Sequence, residues 1–367
     1  MDFYKYGDYE NLSSKLIKDI QSNLIDWYMK NHRKLPWREN KNPYYIWISE
    51  VMLQQTRVET VIPYFLNFIN KFPDVKVLAN AHEEEVLKAW EGLGYYSRAK
   101  NIHRGAKMIC DEFLGVVPKT QNEIRKITGI GPYTAGAILS IAYDQAVSAV
   151  DGNVMRVFSR LFCIKEDIGE NKTRKEMEKL GSILVSREKP SFFNQALMEL
   201  GAMICIPKNP KCIACPLFSQ CSGRELGVAD DLPVKKKKIT KREVDLEVAL
   251  ICNTDKFFIV KRSSEGLLAN LWALPSIEKE KNMEDGKSIL LKLKENYEMI
   301  VEKEKFLFQK EHIFTHLKWN MNVYRYKLIK NNLVDKDKNQ WICIEDIEKY
   351  AFPTAFMKIL KEIKKLV

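Results

Sequence analysis

Residues 127–137 read ITGIGPYTAGA. TQNEIRKI before it and YTAGAILSIAY overlapping its end both carry helical spacing, so the centre of the stretch is a turn between two helices. Gly129, Ile130 and Gly131 form that turn, and its glycines remove side-chain obstruction, so the backbone can come close to another chain. The amides that open the next helix point outward and can bind a phosphate oxygen. A Gly-x-Gly alone marks only a tight turn. Between two helices, in a chain of net charge +11, it points toward a polyanion.

The 367 residues are too many for one ordinary domain, and 46% apolar content is enough for real cores. Up to about residue 200 the pattern is helical. Asn42-Pro43 reads as an N-cap followed by proline at the first helical position. Asn80 is the expected cap of EEEVLKAWEGL, and Gly92 and Gly94 break that helix before YYSRAKNIHRGAKMI. Further helices fit GNVMRVFSRLF, TRKEMEKLGSILV and SFFNQALMELGAMI. Around residues 222–243 the periodicity fades, and a lysine run from Lys235 to Lys238 reads as a solvated linker rather than a DNA-binding tail. Beyond it DLEVALIC, KFFIVKR, MNVYRYKLI and QWICI read as strands, and AFPTAFMKILKEIKKLV as a last helix. The expected architecture is an all-α domain over 1–224, a linker over 225–243 and a smaller α+β domain over 244–367. The amino-terminal stretch has no apolar signal core and no run is long enough to span a bilayer, so a cytoplasmic protein without membrane contact is expected.

In that compartment thiols stay reduced, and the eight cysteines read as ligands or core residues. Cys205, Cys212, Cys215 and Cys221 have gaps of six, two and five residues, short enough to bring four thiolates around one centre. Zinc and a four-thiolate iron–sulfur cluster are both chemically open to them. Cys110, Cys163, Cys252 and Cys343 lie in apolar stretches and read as core.

One acid, Glu50, stands in IWISEVMLQQT, a segment apolar on nearly every helical face. A buried carboxyl there would hold its proton, with pKa raised; the alternative is an ion pair with Arg57. Asp151 in VDGNV is either a helix N-cap or a second carboxylate for acid chemistry and cation stabilisation.

WISEVMLQQT, WEGLGYYSRA, GIGPYTAGAI, VDGNVMRV and the cysteine segment together resemble the MutY-type adenine DNA glycosylases, within the endonuclease III-like superfamily. The likeness runs from about residue 20 to 224, and GLLANLWALPS and HIFTHLKW are similar to that family's C-terminal recognition domain. The resemblance implies a helix–hairpin–helix glycosylase core with a [4Fe–4S] cluster on the four cysteines. It also implies a Nudix-like C-terminal domain, and a monomer acting on duplex DNA with adenine opposite 8-oxoguanine or guanine. It makes Glu50 the general acid and Asp151 the carboxylate facing the sugar cation, with Asn153 helping to hold them. Tyr133 stands where bifunctional relatives carry a lysine nucleophile, so strand cleavage is expected to be weak or absent. Gln55 and Tyr95 match residues that wedge the duplex, and Arg38 and Gln195 match pocket residues. Gly129, Ile130 and Gly131 would hold backbone phosphates. Phe314, Thr315 and His316 match the loop that reads 8-oxoguanine, with threonine where the family commonly has serine. No glutamate-rich Nudix box is visible, so triphosphate hydrolysis is not expected. The rivals are a bifunctional pyrimidine-lesion glycosylase and a non-catalytic DNA-binding protein; Tyr133 weighs against the first, Glu50 and Asp151 against the second.

Overall fold

The computed structural model describes residues 7, 9–236, 241–280, 283–331 and 338–365. Lys237 and Lys238 of the expected linker run, residues 1–6 and 8 of the amino-terminal stretch and the last two residues of the final helical stretch lie outside these. The helices are α1 Ser14–Asn31, α2 Pro43–Leu53, α3 Val58–Lys71, α4 Val75–Asn80, α5 Glu83–Ala89, α6 Ser97–Phe113, α7 Gln121–Ile124, α8 Pro132–Tyr143, α9 Gly152–Leu161, α10 Asn171–Leu184, α11 Pro190–Met203, α12 Ser222–Glu225, α13 Lys287–Tyr297 and α14 Thr354–Ile363. The strands are β1 Arg242–Asn253, β2 Lys256–Lys261, β3 Trp272–Ala273, β4 Ser276–Glu278, β5 Met299–Ile313, β6 Leu317–Asn331 and β7 Asn339–Cys343. Among the described residues no helix is long and apolar enough to cross a membrane.

Residues 1–80 and 101–237 form one compact unit, and residues 81–100 and 238–367 the other. The expected cut was continuous; this one is not, because 81–100 pair with the C-terminal part of the chain. Glu91 accepts from the Phe352 amide at 2.8 Å, Tyr96 donates to the Phe352 carbonyl at 3.1 Å, and Lys88 donates to the Tyr350 carbonyl at 2.9 Å.

In the first unit α2 packs on α8, and α11 packs on α1, α8 and α9. The close approaches need small residues. A Cβ on Gly136 of α8 would lie 2.1 Å from the Ser148 carbonyl oxygen, and one on Gly105 of α6 would lie 2.8 Å from the Thr128 carbonyl oxygen. Asn42 caps α2 as expected, accepting from the Tyr44 amide at 2.9 Å, with Pro43 at the first position. Asn80 does not cap the following helix; it ends α4. His82 caps α5 instead, because Glu85 reaches back to the His82 amide at 3.2 Å in a capping box. Gly92 and Gly94 do follow that helix, at φ +99° and +71°.

The second unit is built on a mixed sheet in the order β3-β2-β1-β6-β5, with β4 on β1 and β7 on β2. The β1–β6 pair is parallel and the other pairs are antiparallel. Strand alternation splits β1 between two cores. Val248 and Leu250 pack with Phe356, Ile359 and Leu360 of α14, while Ala249 and Ile251 pack with Ile289 and Leu293 of α13. Glu247 is fully buried and accepts from the Gly286 and Ile289 amides at 2.7 and 3.0 Å, which serves orphan donors at the start of α13.

Candidate active site

Helix α2 delivers Glu50 into the interior. Its neighbours Trp47, Ile48 and Met52 are fully buried, and Glu50 itself is only 5% exposed. Its hydrogen-bond partner is the Tyr133 phenol, which donates to Glu50 Oε2; among the described residues no ion pair joins it to Arg57. Burial pushes the Glu50 carboxyl up to about 7; the Tyr133 bond opposes this, the nearby Asp151 charge adds to it, and Arg38 offsets part. The Tyr133 phenol is driven well above its ordinary value by burial and by both carboxylates.

The Gly-x-Gly turn sets where Tyr133 stands. Gly131 caps α8 and Pro132 occupies its first turn, which puts Tyr133 at the second helical position. The three turn residues do different things. Gly129 has φ +86°, and a Cβ there would press on Asn101 at 2.8 Å. Ile130 is buried at 5% exposure and anchors the turn. Gly131 faces open space, with no atom within 4 Å of where its Cβ would lie.

Asp151 is a helix cap that also lines the cleft holding Glu50. It is the N-cap of α9, its Oδ1 accepting from the Val154 amide at 2.7 Å. Asn153 Nδ2 donates to Asp151 Oδ2 at 2.9 Å. Burial raises the Asp151 pKa, while these donors and the Arg156 charge oppose the rise. Glu50, Tyr133, Asp151, Asn153, Arg38, Gln195 and Gln55 all line one cleft of about 1370 Å³ in the first unit.

Arg38 is held in an ion pair with Glu199 at 2.9 Å and lies over the Tyr28 ring at 5.5 Å. Gln195 accepts from the Tyr28 hydroxyl at 2.9 Å. Gln55 ends the run after α2 with φ +61°, a left-handed backbone uncommon for a side chain of this type. Tyr95, in the second unit, shares that feature at φ +48°. The Tyr95 and Thr315 hydroxyls are 3.2 Å apart in the same unit, where the 314–316 turn joins β5 to β6. Thr315 and His316 are exposed. Phe314 is packed instead, its ring 4.6 Å from His312 and 4.7 Å from Trp319, so it fixes the turn rather than presenting itself.

Several polar residues of this network were not singled out in the sequence. Glu199, 1% exposed, binds Arg33 Nε and Nη2, each at 2.9 Å, besides Arg38. Burial opposes its ionisation, but the bonds from Arg33 and Arg38 outweigh it and hold the carboxyl at about 2. Its signal was the one that exposed Glu50: an acid inside an apolar helical stretch, SFFNQALMELGAMI. Arg156 donates to Asn153 Oδ1 at 2.9 Å, the Gly201 carbonyl at 2.7 Å and the Cys205 carbonyl at 2.8 Å, tying the Asp151 cap to the cysteine segment.

Cys205, Cys212, Cys215 and Cys221 line one small cavity with Arg160 and Arg224. Arg160 crosses that loop and donates to the Ile206 carbonyl at 2.7 Å and the Pro207 carbonyl at 3.0 Å. Burial pushes the Cys215 thiol up to about 12, so four thiolates there call for a bound cation. Four thiolates on so short a loop suit a zinc ion and an iron–sulfur cluster alike.

Two family matches divide the chain. The HhH-GPD superfamily base excision DNA repair protein family matches residues 48–182, and the NUDIX domain matches residues 247–362. The chain is 35% identical to the adenine DNA glycosylase of Buchnera aphidicola subsp. Schizaphis graminum, over 93% of this chain and 97% of that one. It is 32% identical to the Homo sapiens adenine DNA glycosylase, over 93% of this chain and 73% of that one. A thermostable thymine-DNA glycosylase structure superposes at TM-score 0.52 with 28% identity, covering 58% of this chain and 98% of that one. A helical core of that superfamily, a Nudix-like mixed-sheet domain and full-length relatives at this identity lead to one conclusion: the chain belongs to the adenine DNA glycosylase family of base-excision repair enzymes.

Proposed function

We propose that this enzyme removes adenine paired with 8-oxoguanine or guanine in duplex DNA, acting as a monomer that leaves the strand intact. The observation that carries the reading is a buried carboxyl near pKa 7, bonded to Tyr133, in one cleft with a carboxylate that has several donors. In this account the adenine leaves the base stack and enters the cleft. Glu50 transfers its proton to adenine N7, which makes the base a better leaving group. The C1′–N9 bond then breaks, its electron pair leaving with the base, and positive charge collects on the sugar. Asp151, in its anionic form, accepts from the Val154 amide and Asn153 and faces that charge. Water adds to C1′ and gives up a proton, leaving free adenine and an abasic site. Tyr133 has no amine for a Schiff base, so no covalent enzyme–DNA adduct forms. Arg38 and Gln195 line the base pocket, Gln55 and Tyr95 wedge the duplex, and the Gly129–Gly131 turn binds phosphate.

The domain roles follow the same reading. The first unit carries the glycosylase chemistry, and the unit that joins residues 81–100 to the C-terminal part of the chain reads the base opposite adenine through Thr315 and His316. Cys205, Cys212, Cys215 and Cys221 would hold a [4Fe–4S] cluster. When bound, the cluster cross-links the loop that Arg156 and Arg160 join to α9, a structural service with no part in the bond cleavage.

The direct test is single-turnover incubation with duplexes carrying adenine opposite 8-oxoguanine, G, T or C. Free adenine should come from the first two. Glu50→Gln should slow release by about 10²–10⁴-fold while DNA affinity persists. Asp151→Asn, which can still cap α9, should slow it too; near wild-type rates in both variants would remove the assigned chemistry. Purified protein should be brown with about four irons per chain. Stoichiometric zinc in a colourless, active preparation would refute the cluster. Alanine at both Thr315 and His316 should narrow the preference for 8-oxoguanine over guanine by the equivalent of about 1–3 kcal/mol. An unchanged preference in the folded variant would move the reading of that base elsewhere.

A further inference from the structure

Glu199 touches neither Glu50 nor Asp151, yet it is among the most deeply buried acids of the first unit. It has its own polar cage. Both carboxylate oxygens are engaged by Arg33, through the Arg33 amide and Nε at Oε1 and through Nη2 at Oε2, all at 2.9 Å. Arg38 Nη2 takes Oε2 as well at 2.9 Å, while Arg38 Nη1 donates to the Arg33 carbonyl at 3.0 Å. Two guanidiniums therefore share one carboxylate on the wall of the cleft that holds Glu50. The two cations are not equivalent. Arg33 is satisfied by Glu199 through three contacts. Arg38 is shared, stacked on Tyr28, and acts on Glu50.

We infer that Glu199 is a positioning residue for the acid site: it pins Arg38 on Tyr28 and neutralises it, so that the guanidinium does not draw the proton from Glu50. The inference rests on the reading of Glu50 as proton donor, but its own prediction concerns only where Glu50 titrates. The groups acting on Glu50 are Tyr133 from α8, Asp151 from the cap of α9, and Arg38 from the 3-10 turn Pro36–Arg38. Arg156, also on α9, acts on Asp151 rather than on Glu50. Of these, Arg38 is the cation, and Glu199 is the only acid paired with it among the described residues. Two opposite consequences follow. Without the Glu199 charge, Arg38 is under-compensated and favours the Glu50 carboxylate. Without Arg38, Glu199 keeps Arg33 as its counter-charge, and Glu50 loses a cation that favours its ionised form.

The experiment is a carboxyl ¹³C NMR titration of Glu50 in the full-length protein, with Glu50→Gln used to assign the resonance. Glu199→Gln should lower the Glu50 midpoint, and Arg38→Gln should raise it, each by on the order of one pH unit. Glu199→Asp, which keeps the charge, should restore most of the wild-type midpoint. A purely structural ion pair would lower thermal stability without moving the midpoint in opposite directions. Unmoved midpoints, or shifts of the same sign in both variants, would overturn the inference. Should Glu199→Gln fail to fold, Arg38→Gln carries the test alone: a midpoint that does not rise overturns it. Opposite shifts in an enzyme whose adenine release ignores Glu50 would instead leave the inference standing and remove the reading of Glu50 as acid.

Discussion

One carboxyl in a dry helix conditions the rest of the first unit. Helix α2 is apolar all round, so every face must be covered, and α8 covers the side that carries Glu50. Among the described residues the hydrogen-bond donor that reaches the acid is a phenol, which can stabilise the carboxylate only modestly. Burial therefore wins and the group stays protonated near neutral pH. The cost has a definite sign. Glu50 has a folded pKa above its ordinary one, so the folded state binds the extra proton between about 4.5 and about 7. Across that window stability falls as pH rises, by on the order of 3 kcal/mol once both states are ionised.

The neighbouring acids show how environment divides similar groups. Asp151 is partly buried, but a backbone amide and Asn153 donate to it, and Arg156 adds positive charge. Glu199 is buried and is held at about 2 by two arginines. Three carboxyls thus line one cleft in different environments, and in the proposed account they serve as proton donor, sugar-facing anion and counter-ion.

Much of this was legible in the chain and some was not. Glu50 stood out because a lone acid breaks an otherwise apolar helical pattern. Glu199 breaks its own stretch in the same way, but it became visible only when Arg33 and Arg38 arrived from more than 160 positions away in sequence. Asp151 was weighed as cap or acid; it caps α9 and also lines the cleft that holds Glu50, so the cap does not exclude the other reading. The cap at His82 was hidden because histidine is not a strong capping type, and Glu85 supplies the missing bond. Strand β5 was missed because it is an edge strand with most positions exposed and three register shifts, so its apolar residues do not alternate cleanly. The union of residues 81–100 with the C-terminal unit rests on side chains reaching distant backbone groups, which no local pattern records.

The most direct test of the account is the pH dependence of single-turnover adenine release by the wild-type enzyme. A proton donor buried as Glu50 is should keep the rate high below about 7 and lose it about tenfold per unit above. A rate that stays level to pH 9 would mean that the proton reaching the base does not come from this carboxyl.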